Sequence, residues 1–260
     1  MDYARGRLAG AAARRMTMAM TADPFDRAAR RQQRARAGDD FLSASLAAEL
    51  RDRVAAAGRD FAVALDFGGS GVRGAALTVI ADVARRRGVT LVADDDRLPF
   101  ADASVDLIAS LGLHGAGDLP GALILARRAL RPGGLFVAAV VGGTSLSEVR
   151  ADLLAAEVAV TGRAAARILP MLDPAAAAGL LQRAGFADPV AEVDTLTVRY
   201  DDLGGVLRDL RAGGAGNILC AREPLRRDVL ADAARRFADR AVAGRIAVTV
   251  QVVYLTGRGR

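Results

Sequence analysis

Lysine and tryptophan are both missing from this chain of 260 residues. Cysteine and histidine occur once each, as Cys220 and His114, and tyrosine three times. A lone cysteine excludes an internal disulfide and any thiolate metal cluster, so a reducing compartment is compatible. A lone histidine leaves one side chain that titrates near neutral pH, and no Ser/His/Asp triad or metal-ligand cluster can be assembled around it. No apolar run approaches the roughly 18 residues that cross a bilayer, so membrane insertion is not expected. The scarcity of aromatics also bears on the charge. The net charge is +6, and arginine supplies every basic side chain. Basic chains can bind nucleic acid, but these arginines are not interleaved with aromatic stacking platforms. Specific nucleic-acid binding is therefore not expected, and an arginine-rich solvated surface is the simpler reading.

Enough apolar residues are present to build a core. Hydrophobic residues make up 52% of the chain and charged residues 25%, which is globular and not disordered. A length of 260 residues suits one or two domains. Residues 1–22 are set apart from the body as an unstructured extension. They hold Arg5, Arg7, Arg14 and Arg15 against one acid, Asp2, and have no apolar stripe. Such a stretch fits a start codon placed upstream of Met18 or Met20, or a mitochondrial transit peptide. The protein is read as cytoplasmic in the first case and as a mitochondrial-matrix protein in the second.

Signals along the chain alternate between strand and helix. Asp23 and Pro24 suit a helix start, with Asp26 in its first turn and Gly38 as its stop. On that helix Arg27, Arg30, Arg31 and Arg34 fall on one face, a spacing that can meet an acidic partner or simply be solvated. Leu42, Leu46, Leu50 and Val54 form the stripe of a second helix over 41–57. Ala62 to Leu65 is a short apolar run that enters the glycine turn Gly68-Gly69-Ser70-Gly71. Strands are expected at 62–66, 89–94, 105–109, 135–141, 195–200 and 246–255. Helices are expected over 119–130, from Ser145 through Val158 with a Ser145/Glu148 capping box, and from Asp173 to Gly185. The last two strands alternate and read as an antiparallel pair closing the sheet. The pattern predicts one three-layer αβα domain over 23–260, with a Rossmann-like, mostly parallel sheet.

In such sheets ligands bind beyond the carboxyl ends of the strands. Gly68, Gly69 and Gly71 let a ligand approach bare backbone there. Asp66 precedes them. Asp94 and Asp95 end another strand and suit ribose hydroxyls or an adenine amine. His114 lies past the strand at 105–109 and is the one candidate general base, although a single histidine is more often structural.

In combination these segments are more specific. Leu65-Asp66-Phe67-Gly68-Gly69 resembles the first motif of class I S-adenosylmethionine (SAM) methyltransferases. Asp94 to Phe100, followed by Ser104-Val105-Asp106-Leu107-Ile108, resembles their acidic second region. Arg131-Pro132-Gly133-Gly134 resembles the turn before a later strand. Within that superfamily the chain is similar to the bacterial and mitochondrial methyltransferase-like proteins related to the respiratory complex I assembly factor. The similarity rests on Phe25-Asp26-Arg27, Leu113-His114, Asp118-Leu119-Pro120, Gly142 to Leu146 with Glu148, Leu180 to Phe186, Asp209 to Gly213 and Tyr254 to Gly257. The biotin-pathway carrier-protein O-methyltransferases share the first half of this pattern. The resemblance implies a SAM cofactor held by Asp66, Gly68, Gly69, Gly71, Asp94 and Asp95, and a protein side chain as substrate. That family is associated with arginine hydroxylation on a complex I subunit.

Three departures accompany the resemblance. Gly115 stands where the family usually has tryptophan. The family's usual tail is missing after Arg260. The interval from Asp66 to Leu98 is short by about one strand-and-helix unit. Two layouts of that interval remain. An amphipathic helix over 74–87, with Leu77, Ile80, Ala81 and Ala84 on one face, makes Asp94 the sugar- or adenine-facing acid. Alternatively, 78–82 is the second strand and Asp82 the ribose carboxylate, which leaves a connection shorter than the dozen or so residues a parallel crossover normally takes. The helical pattern favours the first layout, and the resemblance favours the second. Two functions follow: a SAM-dependent enzyme acting on a protein substrate, or a non-catalytic assembly protein on a degenerate methyltransferase scaffold that docks a partner through its arginine-rich helix.

Overall fold

Seven strands form one sheet in the order β3-β2-β1-β4-β5-β7-β6, in a computed structural model that describes residues 23–260. The expected extension therefore lies outside the described residues. The strands are β1 (Phe61–Phe67), β2 (Ala75–Asp82), β3 (Leu91–Val92), β4 (Val105–Ser110), β5 (Leu130–Gly142), β6 (Ala187–Tyr200) and β7 (Ile246–Arg258). The first five run parallel, and β7 is antiparallel to both β5 and β6. The helices are α1 (Arg27–Arg36), α2 (Phe41–Ala55), α3 (Leu119–Ala129), α4 (Ser147–Thr161), α5 (Pro174–Ala184), α6 (Leu203–Ala212) and α7 (Arg227–Ala238).

Strand alternation produces the layers. On β5, Leu135, Val137 and Ala139 face one side and pack with Leu46, Leu50 and Val54 of α2. Phe136, Ala138 and Val140 face the other and pack with Leu123 of α3 and Leu181 of α5. Ile246 and Val248 extend the first face outward beneath α4, α6 and α7, where Leu153, Val206, Val229 and Phe237 are buried. Fully burying such side chains contributes about 1.5–3 kcal/mol each. This is the expected three-layer αβα architecture.

Several local expectations are corrected. Asp26, not Asp23, caps α1 by accepting from the Ala29 N–H at 3.0 Å. The Ser145/Glu148 capping box does not form. The Ser145 Oγ accepts from the Gln251 N–H at 2.8 Å, and the Glu148 carboxylate accepts from the Thr249 hydroxyl at 2.6 Å. Both side chains pin the start of α4 to β7 instead of to its own first turn.

The larger correction concerns residues 74–87, which do not form a helix. Ala75–Asp82 is β2, paired with β1 from Phe61↔Ala75 to Phe67↔Ala81. Two β-branched residues, Val79 and Ile80, sit where the ladder needs them, and parallel pairing on both sides of the strand outweighs a helical stripe of mixed quality. Residues 68–74 then join two adjacent parallel strands with no helix between them. An extended chain gains about 3.3–3.6 Å per residue, enough for this stretch to run back along β1. Residues 83–90 likewise join β2 to β3 without a helix, and β3 shrinks to Leu91–Val92.

Candidate functional site

The carboxyl ends of β1, β2 and β4 open on one side of the sheet, and the acids gather there. At the end of β1, the buried Asp66 accepts from the Ser70 N–H at 2.7 Å, the Ser70 hydroxyl at 2.6 Å and the Gly71 N–H at 2.8 Å. Both of its oxygens are spent on holding the glycine turn. Gly68 begins that turn at φ +83°, a conformation that L side chains rarely adopt. A Cβ on Gly68 would also stand 3.2 Å from the Gly112 nitrogen, so the turn after β1 and the loop after β4 nearly touch.

Asp82 ends β2 and is buried, with its Oδ1 accepting from the Ala84 N–H at 3.2 Å. Asp94 and Asp95, also buried, follow β3 at a 3-10 turn over Asp95–Arg97. Asp94 Oδ1 and Asp95 Oδ1 have no hydrogen-bond partner among the described residues. Burial pushes the Asp95 carboxyl up, against the pull of Arg30 beside it.

The arginines of α1 are the partners of these acids. Arg27 makes two hydrogen bonds to Asp96, at 2.8 and 2.6 Å, and reaches Asp94 Oδ2 at 3.2 Å. Arg30 donates to Asp95 Oδ2 at 2.6 Å and to the Gly112 carbonyl at 2.9 Å. Arg31 donates to Asp94 Oδ2 at 2.6 Å. Arg34 donates through Nε to Asp82 at 3.0 Å and through a terminal nitrogen to the Gly68 carbonyl at 2.7 Å. The Arg27 guanidinium holds Asp96 below the usual carboxylate range. The arginine face and the acidic triplet are both visible in the sequence. Their pairing across more than sixty positions is not, because spacing on a helix says nothing of what the helix lies against.

The recess left at this site measures about 50 Å³. Gly68, Asp82 and His114 line it, together with Arg30, Arg34 and the Gly213–Gly216 backbone. Asp94 and Asp95 stand beside it behind their arginines, whereas Gly69 and Gly71 do not line it. His114 is exposed where it lines the recess. Desolvation first, then the charges of Arg30 and Arg34, push its imidazole down to about 4. The imidazole is neutral at pH 7 and is a weak base.

The donor set suits SAM in chemistry but not in space. Two free carboxylate oxygens and Asp82 match the amine and hydroxyl donors of an adenosine. A ligand of that size needs a pocket of about 300 Å³ or more, and the recess that Arg30 and Arg34 line falls well short of that.

Comparison with known proteins bears on the family and the fold. Residues 62–138 match the methyltransferase domain family model. The zebrafish (Danio rerio) mitochondrial arginine-hydroxylase NDUFAF5 is 31% identical over 90% of this chain and 82% of its own length. The human protein of that name is also 31% identical, over 95% of this chain and 80% of its own. A malonyl-[acyl-carrier protein] O-methyltransferase from a Methylovorus species is 34% identical over 62% of this chain and 54% of its own length. Among solved structures, the YcgJ protein from Bacillus subtilis superposes with a TM-score of 0.55 at 13% identity, over 82% of this chain and 99% of that one. These matches support SAM binding by the fold in general.

Proposed function

Because the chain belongs to the family of the mitochondrial arginine-hydroxylase NDUFAF5, we propose that it is a SAM-binding, methyltransferase-like protein that acts on a protein partner. The arginine-hydroxylase activity of those relatives suggests a protein side chain as the target, and the resemblance to complex I assembly-factor proteins suggests that setting. The observation that carries the reading is Asp82 beside Gly68 in the recess, with Asp94 and Asp95 held next to it through Arg31 and Arg30, each keeping one buried carboxylate oxygen free. In this reading Asp82 takes the ribose hydroxyls, Asp94 and Asp95 the adenine side, and Gly68 the close backbone approach. SAM would supply an electrophilic methyl group or a bound sulfonium. Asp66, Gly69 and Gly71 shape the turn behind it. His114 lines the same recess as a neutral imidazole.

A second reading, a non-catalytic assembly scaffold, draws on a different observation. The helix that would stand between β1 and β2 is absent, and arginines fill the cofactor's place. Calorimetric titration with SAM separates the two. Charge-assisted hydrogen bonds contribute about 1.5–3 kcal/mol, so Asp82→Ala is expected to weaken binding about tenfold or more. No SAM binding at millimolar ligand under any condition that opens the site would leave the scaffold reading.

A further inference from the structure

Four arginines on one helix neutralise the four carboxylates that ring the cofactor site, and nothing in the family relationship requires that closure. We infer that α1 is an electrostatic strap: its Arg27–Arg30–Arg31–Arg34 row closes the cofactor site of this protein and must lift before SAM can enter. The inference rests on the SAM-binding reading above.

Three observations carry it. First, α1 buries none of its own residues. Lifting it while the buried Phe25 before it stays seated against Leu219 exposes little apolar surface, so the hydrophobic cost of opening is small. It is held by ion pairs whose Coulomb gain is largely offset by desolvation, a combination that closes a site without locking it. Second, its other attachments are polar: Arg86 donates to the Ala37 carbonyl at 3.1 Å, and the others run to the 212–222 segment. Asp26 N–H donates to the Ile218 carbonyl at 2.7 Å, Gly38 N–H to the Ala212 carbonyl at 2.9 Å, and Gln33 to the Asn217 carbonyl at 3.3 Å. The strap is thus tied to the 212–222 segment, and Gly38 separates it from α2.

Third, the site is shaped around the strap's guanidiniums. A Cβ on Gly115 would stand 2.6 Å from Arg30 Nε, so the bare glycine is what lets Arg30 pass to Asp95. Arg34 takes both Asp82 and the Gly68 carbonyl, one contact from each side of the proposed ligand path. A ligand that needs Asp82 therefore competes with Arg34 for the same oxygens.

The competition gives an inverted salt dependence. SAM carries a net positive charge, and a cation binding an open acidic site binds more weakly as salt rises. If the strap must lift first, salt weakens the arginine row and SAM binds more tightly.

The test uses the full-length protein and two readouts. Trypsin cleavage after Arg30 and Arg34 is followed by mass spectrometry at about 0.1 M and about 1 M NaCl, where the screening lengths are about 10 and 3 Å. The exposed Arg183 of α5, in the half held by burial, serves as the internal reference. SAM affinity is measured in parallel on the wild type, Gly115→Ala and Arg31→Gln. Arg31 is half exposed and shares Asp94 with Arg27, so that variant is expected to fold. The strap predicts faster cleavage of α1, relative to Arg183, in high salt and in both variants. It also predicts SAM binding about tenfold tighter under those same conditions. Unchanged protection of α1 in all of them would overturn the strap. So would wild-type SAM binding that weakens with salt, although that result would leave the SAM-binding reading standing. Cleavage that rises while no SAM binds at millimolar ligand would overturn both.

Discussion

The two ends of the sheet are held by different forces. At β4, β5 and β7, helices cover both faces, and Leu107, Phe136, Ala138 and Val253 are all but inaccessible to water. At β2 and β3 the connections 68–74 and 83–90 carry no helix. Leu77 is 57% exposed and Val92 51%, so that edge has lost apolar cover. In its place stand the ion pairs from α1 to Asp82, Asp94, Asp95 and Asp96. One half is held by burial, which salt does not weaken. The other relies on charge, which salt screens and which a charged ligand can displace.

Truncating a side chain in each half is the largest test of this contrast. Phe136 is 1% exposed and packs on Phe186 at a ring distance of 4.9 Å. Phe136→Ala is expected to cost about 3–5 kcal/mol in denaturant unfolding. Leu77→Ala, on the uncovered edge, should fall within about 0.5 kcal/mol. Equal losses would mean that the edge is covered in solution by something the contrast omits.

Acid tests the charged half in an intermediate range. His114 has a folded pKa of about 4 against an unfolded value near 6.5. Between those values the unfolded chain binds more protons, so stability is fully present above about 6.5 and falls as pH drops toward 4. Asp95, whose carboxyl is pushed up, works the other way: its burial costs stability as pH rises from the unfolded carboxylate value through its own raised one. The histidine contribution is isolated by comparing melting temperatures of wild type and His114→Asn across pH 4–7. The variant should show the shallower acid decline, and parallel profiles would remove His114 from the account.

The same contrast explains what could be read from the sequence. Strands β1, β4, β5 and β7, and helices α2, α3 and α5, are legible because their burial is written in apolar periodicity and in stops such as Gly185. The stretch 74–87 misleads because its helical stripe and its strand alternation share Leu77 and Ala81, and only the partner strand β1 decides between them. Asp82, held open as the alternative ribose carboxylate, is brought into the recess with Gly68, while Asp94 and Asp95 gather beside it. The arginine row, read as solvated or as a docking face, turns out to meet an acidic surface within its own chain. Opposite charges far apart in sequence carry no signal of their pairing.

Hydrogen exchange followed by mass spectrometry at about 0.1 M and about 1 M NaCl compares the two halves most directly. The account predicts faster exchange in α1 and the 68–97 region at high salt, with β4, β5 and β7 unchanged. Exchange that is insensitive to salt throughout, or that rises equally in both halves, would contradict it.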